Sequence, residues 1–219
     1  MGKADFRLYA VVESSRRRKC PEDVAALLIE GGATVIQWSG TQSATRAQIE
    51  AGYRLSEAVQ TQGVPLIIGG RVDVMLAIGA DGVLLGADDM PVAVARRLVG
   101  SDRLVGAMVD SVDSAREAAR QGADFVVCDG PVAAVAAAVD VPVIAGPVRS
   151  PEEAVSAVRA GAAGVAVRAA GLPKGDVQGA LRALAEAVRL GGGTAQQFAA
   201  GAQVMINEPG AQNGRPWLG

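Results

Sequence analysis

Gly79-Ala80-Asp81-Gly82-Val83-Leu84-Leu85 joins a Gly-Ala step to a short apolar run, and the same step returns at Gly32-Ala33, Gly122-Ala123 and Gly161-Ala162. The runs that follow are Thr34-Val35-Ile36-Gln37, Asp124-Phe125-Val126-Val127-Cys128 and Ala163-Gly164-Val165-Ala166-Val167. The intervals of 47, 43 and 39 residues are each about two βα units long. A further apolar run lies inside each interval, at Val64-Pro65-Leu66-Ile67-Ile68, Arg103 to Met108 and Val141 to Ala145. With Arg7 to Val12 at the start, the count reaches eight. Runs that are apolar throughout, without alternation, predict parallel strands covered on both faces. Eight such strands separated by helical stretches predict a (β/α)8 TIM barrel over residues 1–190. A doubly wound sheet is the alternative, but no run is polar enough to mark an edge.

Helix signals agree with this. Pro21 followed by Glu22 and Asp23 suits a first turn, and Gly31-Gly32 closes the stretch. Ser150-Pro151-Glu152-Glu153 opens another helix, and Asp176 can cap the last one, which runs to about Arg189. From Gly191 to Gly219 the pattern becomes a Gly-rich linker and a tail. Trp217 and Leu218 in that tail are candidate contacts to a protein partner.

Composition excludes several functions. The 219-residue chain has no histidine, which removes imidazole bases and the commonest zinc sets. A net charge of -2 with two Trp, two Tyr and three Phe argues against nucleic-acid binding. The lack of a long apolar segment or of a signal-like start predicts a cytoplasmic protein that does not enter membranes. Cys20 and Cys128 lack metal-ligand spacing.

In a TIM barrel the loops after the strands carry function. They deliver Glu13 with the basic run Arg16-Arg17-Arg18-Lys19, Gln37 with Trp38, Gly69-Gly70-Arg71, Asp88 and Asp89, Asp110, Cys128 and Asp129, and Gly146 and Arg168. Gly146 with a Gly164-Val165-Ala166-Val167 turn forms a candidate phosphate cradle, which Arg149 and Arg168 could reinforce. Tight turns and solvated arginines would read the same way. Arg16 to Lys19 could close over an anion or could be a solvated loop. Asp89, with Asp88, is a candidate magnesium ligand, or a cap for the helix that opens at Met90-Pro91. Asp89, Asp110, Asp129 and Cys128 are the candidate catalytic groups, although Cys128 has no base to activate it and suits a small core position.

Over about residues 7 to 189 the chain resembles the thiamine phosphate synthase and TenI family. Pro65-LIIGGRVDVMLAIGADGVLLGADDM-Pro91 is similar to the family pattern PLIINDRVDLALAVGADGVHLGQEDLP, and Leu8-Tyr9-Ala10-Val11 to the start of LYLVTD. The resemblance implies a reaction that joins an aminopyrimidine diphosphate to a thiazole phosphate and releases pyrophosphate, with magnesium. Against that pattern, Gln-Leu-Arg-Glu-Lys becomes Gln37-Trp38-Ser39-Gly40-Thr41, and Asn-Asp becomes Gly69-Gly70. A serine and a threonine become Met108 and Val109, and a Thr-x-Thr-Lys loop shrinks to Asp129-Gly130-Pro131. Gln37, Asp89, Gly146 and the Gly164 to Val167 segment stay at family positions.

Each charge-assisted contact to a diphosphate contributes about 1.5–3 kcal/mol, so these losses weigh against synthesis. The expectation is a catalytically degenerate barrel acting as a binding or scaffold protein, with Trp38 filling the diphosphate site. The alternative is an enzyme or binder for a phosphorylated small molecule at the C-terminal mouth. Thiamine phosphate synthesis would require Arg16 to Lys19 to replace the missing cations. The TenI branch, resembling a histidine-dependent isomerase, is disfavoured.

Overall fold

A computed structural model describes residues 4–13, 20–40 and 45–192. Its strands are β1 (Leu8–Glu13), β2 (Val35–Ser39), β3 (Leu66–Gly69), β4 (Gly82–Leu85), β5 (Leu104–Val109), β6 (Phe125–Cys128), β7 (Val143–Ala145) and β8 (Gly164–Arg168). They alternate with α1 (Pro21–Glu30), α2 (Thr45–Gln60), α3 (Val72–Ile78), α4 (Val92–Val99), α5 (Val112–Arg120), α6 (Val132–Ala136), α7 (Pro151–Arg159) and α8 (Val177–Gly191). Each strand pairs in parallel with the next, and β8 pairs with β1, closing the TIM barrel. Every apolar run named above overlaps one of these strands.

The Gly-Ala repeat has a shared geometry. Gly32, Gly79, Gly122 and Gly161 all have positive φ, between 68° and 104°. Each donates its amide to the carbonyl three residues back, and the alanine after it donates five back, to Leu28, Met75, Ala118 and Ala157. This is the Schellman ending of a helix, which glycine permits because it lacks a Cβ. The next residue then starts an even strand by donating its amide to the preceding odd strand: Thr34 to Leu8, Asp81 to Leu66, Asp124 to Val105 and Ala163 to Val143.

In three of the four quarters the side chain completes the clamp. Leu8 donates to Thr34 Oγ1 at 2.9 Å, Leu66 to Asp81 Oδ2 at 2.8 Å, and Val105 to Asp124 Oδ2 at 2.8 Å. Ala163 has nothing to offer. Burial raises the Asp81 carboxyl above the ordinary carboxylate range, against the Leu66 amide and the Arg103 charge, which lower it. Asp124 also accepts from Arg96, whose guanidinium donates to the carbonyls of Gly100, Arg103 and Gly122.

Strand alternation sorts the apolar side chains into two sets. Tyr9, Val35, Ile67, Leu84, Leu104, Phe125, Val127, Ile144 and Ala166 fill the barrel axis with Phe6. The Phe6 and Phe125 rings stack with centroids 4.8 Å apart, and a methyl group at Gly106 would overlap the Phe125 ring. The other face packs beneath the helices, with Leu28, Ile36, Leu55, Ile68, Met75, Val83 and Val126 almost fully buried. Each such side chain contributes about 1.5–3 kcal/mol by leaving water. No described helix is long and apolar enough to cross a membrane.

Candidate functional site at the C-terminal mouth

Continuing the axial rows toward the strand ends decides which side chains enter the mouth. After Val35 the row runs through Gln37 and Ser39, and Gln37 Nε2 donates to Ser39 Oγ at 2.9 Å. Gly69 opens space for this pair, because a Cβ there would stand 2.9 Å from Ser39 Oγ and 3.2 Å from Gln37 Nε2. Leu84 and Val127 lie on the axis below, and Met108, next in the row after Gly106, is 51% exposed. The mouth therefore has an apolar floor and a polar rim.

Trp38 points the other way. It is 2% exposed in the shell beneath the helices, where a side chain on Gly52 of α2 would stand 3.2 Å from its indole. The expectation that Trp38 fills the diphosphate site is thus corrected. The row that carries Gln37 and Ser39 inward carries the intervening residue outward.

The candidate carboxylates stand around the rim. Asp89 Oδ2 accepts from the Gly86 amide at 2.8 Å, and a Cβ on Gly70 would lie 2.8 Å from Asp89 Oδ1. The carboxylate thus lies over the end of β3. It caps its own turn and not α4, which starts after Pro91 without a side-chain cap. Asp88 beside it is exposed. Asp110 Oδ1 accepts from Ser114 Oγ at 3.2 Å, and Asp129 is exposed on the neighbouring loop. Cys128 is 1% exposed and belongs to the shell beneath the helices. Burial pushes its thiol pKa up; the Gly130 backbone opposes this, and the Asp129 and Asp110 charges add to it. An inert core cysteine is what this environment produces.

Among the described residues no three carboxylate or thiol groups gather to hold a metal. Asp89 alone does not make a resident magnesium site, although one carboxylate is enough for magnesium that arrives on a diphosphate.

At the β7–β8 side the expected cradle is rearranged. Residues 164–167 are not a turn: Gly164 and Val165 lie inside β8, with Gly164 paired to Ile144 and packed on the Phe6 carbonyl at the far end of the barrel. Gly146 does end β7 at the mouth, but its amide donates to Cys128 at 3.0 Å. The Val148 amide donates to Ala166 at 2.8 Å, and the Arg149 amide to Glu153 Oε2 at 2.7 Å. The amides of Gly146, Val148 and Arg149 are therefore engaged within the protein. Arg149 and Arg168 line a cleft of about 420 Å³ between the β7–α7 and β8–α8 connections.

Two features were not anticipated from the sequence. Arg168 Nε donates to Glu13 Oε1 at 2.6 Å, an ion pair joining the ends of β8 and β1. Arg71 holds Asp73 with two hydrogen bonds and reaches Gln48 at 3.0 Å and Thr45 at 3.1 Å, tying the starts of α2 and α3 together. The basic run Arg16 to Lys19, Thr41, and the tail contacts Trp217 and Leu218 lie outside the described residues.

The fold and its mouth define a (β/α)8-barrel protein whose candidate site is ringed by polar and charged side chains over an apolar floor. The chain belongs to the thiamine monophosphate synthase family, whose profile matches residues 8–170. It is 39% identical to a thiamine-phosphate synthase of Chloroflexus aurantiacus over 199 residues, 82% of this chain and 91% of the relative. With a thiamine-phosphate synthase of Natronomonas pharaonis it shares 36% identity over 84% of this chain and 95% of that one. Among solved structures, a thiamine phosphate pyrophosphorylase from Pyrococcus furiosus superposes with a TM-score of 0.77 at 30% identity, covering 86% of this chain and 98% of that one.

These relatives overturn the reading of a degenerate scaffold. Likeness to proteins named as synthases extends over nine-tenths or more of their length. Cations lost from single motifs do not settle what the whole mouth can bind. Eight loops converge on one mouth, so charge lost from one can be supplied by another, and Arg168 and Arg149 stand there.

Proposed function

We propose that this protein is a transferase of the thiamine phosphate synthase type, joining an aminopyrimidine diphosphate to a thiazole phosphate and releasing pyrophosphate. The observation that carries the proposal is the near full-length correspondence with proteins named for that product. The chemistry asks for three things: a surface for flat rings, polar groups that orient them, and stabilisation of the charge that grows on the leaving pyrophosphate. Met108, Leu84 and Val127 offer the first. Gln37 and Ser39, locked to each other, offer the second. For the third, Asp89, whose carboxylate lies over the end of β3, meets a magnesium–diphosphate substrate.

Complementation tests this reading. A bacterium lacking its own thiamine phosphate synthase should grow without thiamine when it expresses this chain. Absence of growth at normal expression would count against the proposal.

A further inference from the structure

The ring of helices has a gap. α7 packs along α8, whereas α6 is only five residues long and leaves the other flank of α7 open. A groove of about 610 Å³ lies there, on the outer side of β6 and β7. Small residues on both helices make it wide: Ala133 and Ala134 of α6 line it together with Ser156 and Ala157 of α7. Asp129 and Glu153 are its only charged groups among the described residues. A trough of this kind, apolar and open to water, gains by being covered.

The chain itself carries a segment that suits it. At the end of α8, Gly191 lies against Val155 and Val158, so the chain leaves the described residues beside α7. From Gly192 to Trp217 an extended chain spans about 80 Å, while α7, with nine residues, is about 14 Å long. The groove is thus well within reach. The relatives above are matched nearly end to end while a larger share of this chain stays unmatched, so it carries sequence that they lack. After Glu208 its one charged residue is Arg215, followed by Pro216, Trp217 and Leu218. Bulk and positive charge in this segment answer the small walls and the two carboxylates of the groove.

We propose that the segment from Arg215 to Leu218 docks in the groove of its own barrel, with Trp217 and Leu218 between α6 and α7 and Arg215 towards Asp129 and Glu153. Tethering makes the docking intramolecular, so the groove fills at any protein concentration. The inference goes beyond the proposed transfer reaction and does not depend on it.

Tryptophan fluorescence of the full chain tests it. Subtracting the spectrum of Trp217→Phe, which keeps the buried Trp38, isolates the emission of Trp217. That emission should be blue-shifted from that of free indole and shielded from acrylamide. Ala133→Glu and Ser156→Glu change exposed groove residues, so circular dichroism should stay the same while Trp217 emission moves to the red and becomes quenchable. Arg215→Glu, which leaves the barrel untouched, should shift it part of the way. Emission of a solvated indole in the unaltered chain would overturn the inference. So would a blue shift that neither groove variant moves, since Trp217 would then be buried elsewhere. A blue shift lost on dilution would assign the segment to the groove of a second copy and overturn the intramolecular docking.

Discussion

The two ends of the barrel are built by different rules. At the closed end, Thr34, Asp81 and Asp124 each follow a Gly-Ala step and clamp an amide at the start of the strand before. All the parts come from a short sequence unit repeated around the ring. At the mouth, the ion pair of Glu13 with Arg168 joins residues 155 positions apart. The mouth is thus assembled from unrelated loops held in place by a repeated base. Stability should concentrate at the base and ligand recognition at the mouth.

Removing a clamp should have the largest effect on folding. Asp124→Ala strips Val105 of its acceptor and Arg96 of its counter-charge, and should cost about 2–3 kcal/mol in urea unfolding. A cost below about 0.5 kcal/mol would break the comparison.

Asp81 should give the base a pH dependence. Its carboxyl is raised in the folded chain, so its favourable contribution is complete below the ordinary carboxylate range and fades as pH rises through the raised value. Asp81→Asn retains an acceptor for the Leu66 amide without this titration. Wild-type protein should therefore gain stability relative to the variant as pH falls through that window. A difference that does not change with pH would contradict the assignment.

The quarter without a clamp can sharpen the repeat. Ala163→Asp should supply the missing acceptor at Val143 and raise stability by about 0.5–1.5 kcal/mol. Loss of stability would show that the fourth quarter does not follow the others.

At the mouth, Glu13→Gln should change folding stability by less than about 1 kcal/mol, since exposed ion pairs contribute little. The smallest effect is expected on the axis between the two ends. Tyr9 is fully buried and its hydroxyl has no partner among the described residues, so Tyr9→Phe should be neutral or slightly stabilising by thermal unfolding.

The same contrast explains what the sequence disclosed. The strands were legible because Gly-Ala steps and apolar runs are local signals, and the Asp176 and Ser150 caps were legible for the same reason. Side-chain direction was not. In Val35-Ile36-Gln37-Trp38 the polar Gln37 alternates with Ile36 and Trp38, but one polar residue near a strand end does not say whether its face meets the axis or the helices. Trp38 therefore reads as a mouth residue although it lies in the shell, and Cys128 reads as a catalytic candidate although it packs there too. Gly164 to Val167 looked like a turn because glycine signals turns, whereas here it brings β8 against Phe6. The Glu13–Arg168 pair left no trace in spacing, because only closure of the barrel brings β8 beside β1.

The central claim is the transfer reaction, and pyrophosphate release by the purified protein tests it most directly. With aminopyrimidine diphosphate, thiazole phosphate and magnesium together, pyrophosphate and thiamine phosphate should form in equal amounts, and omission of either organic substrate should abolish both. No release above background with all three present, from folded protein, would contradict the account.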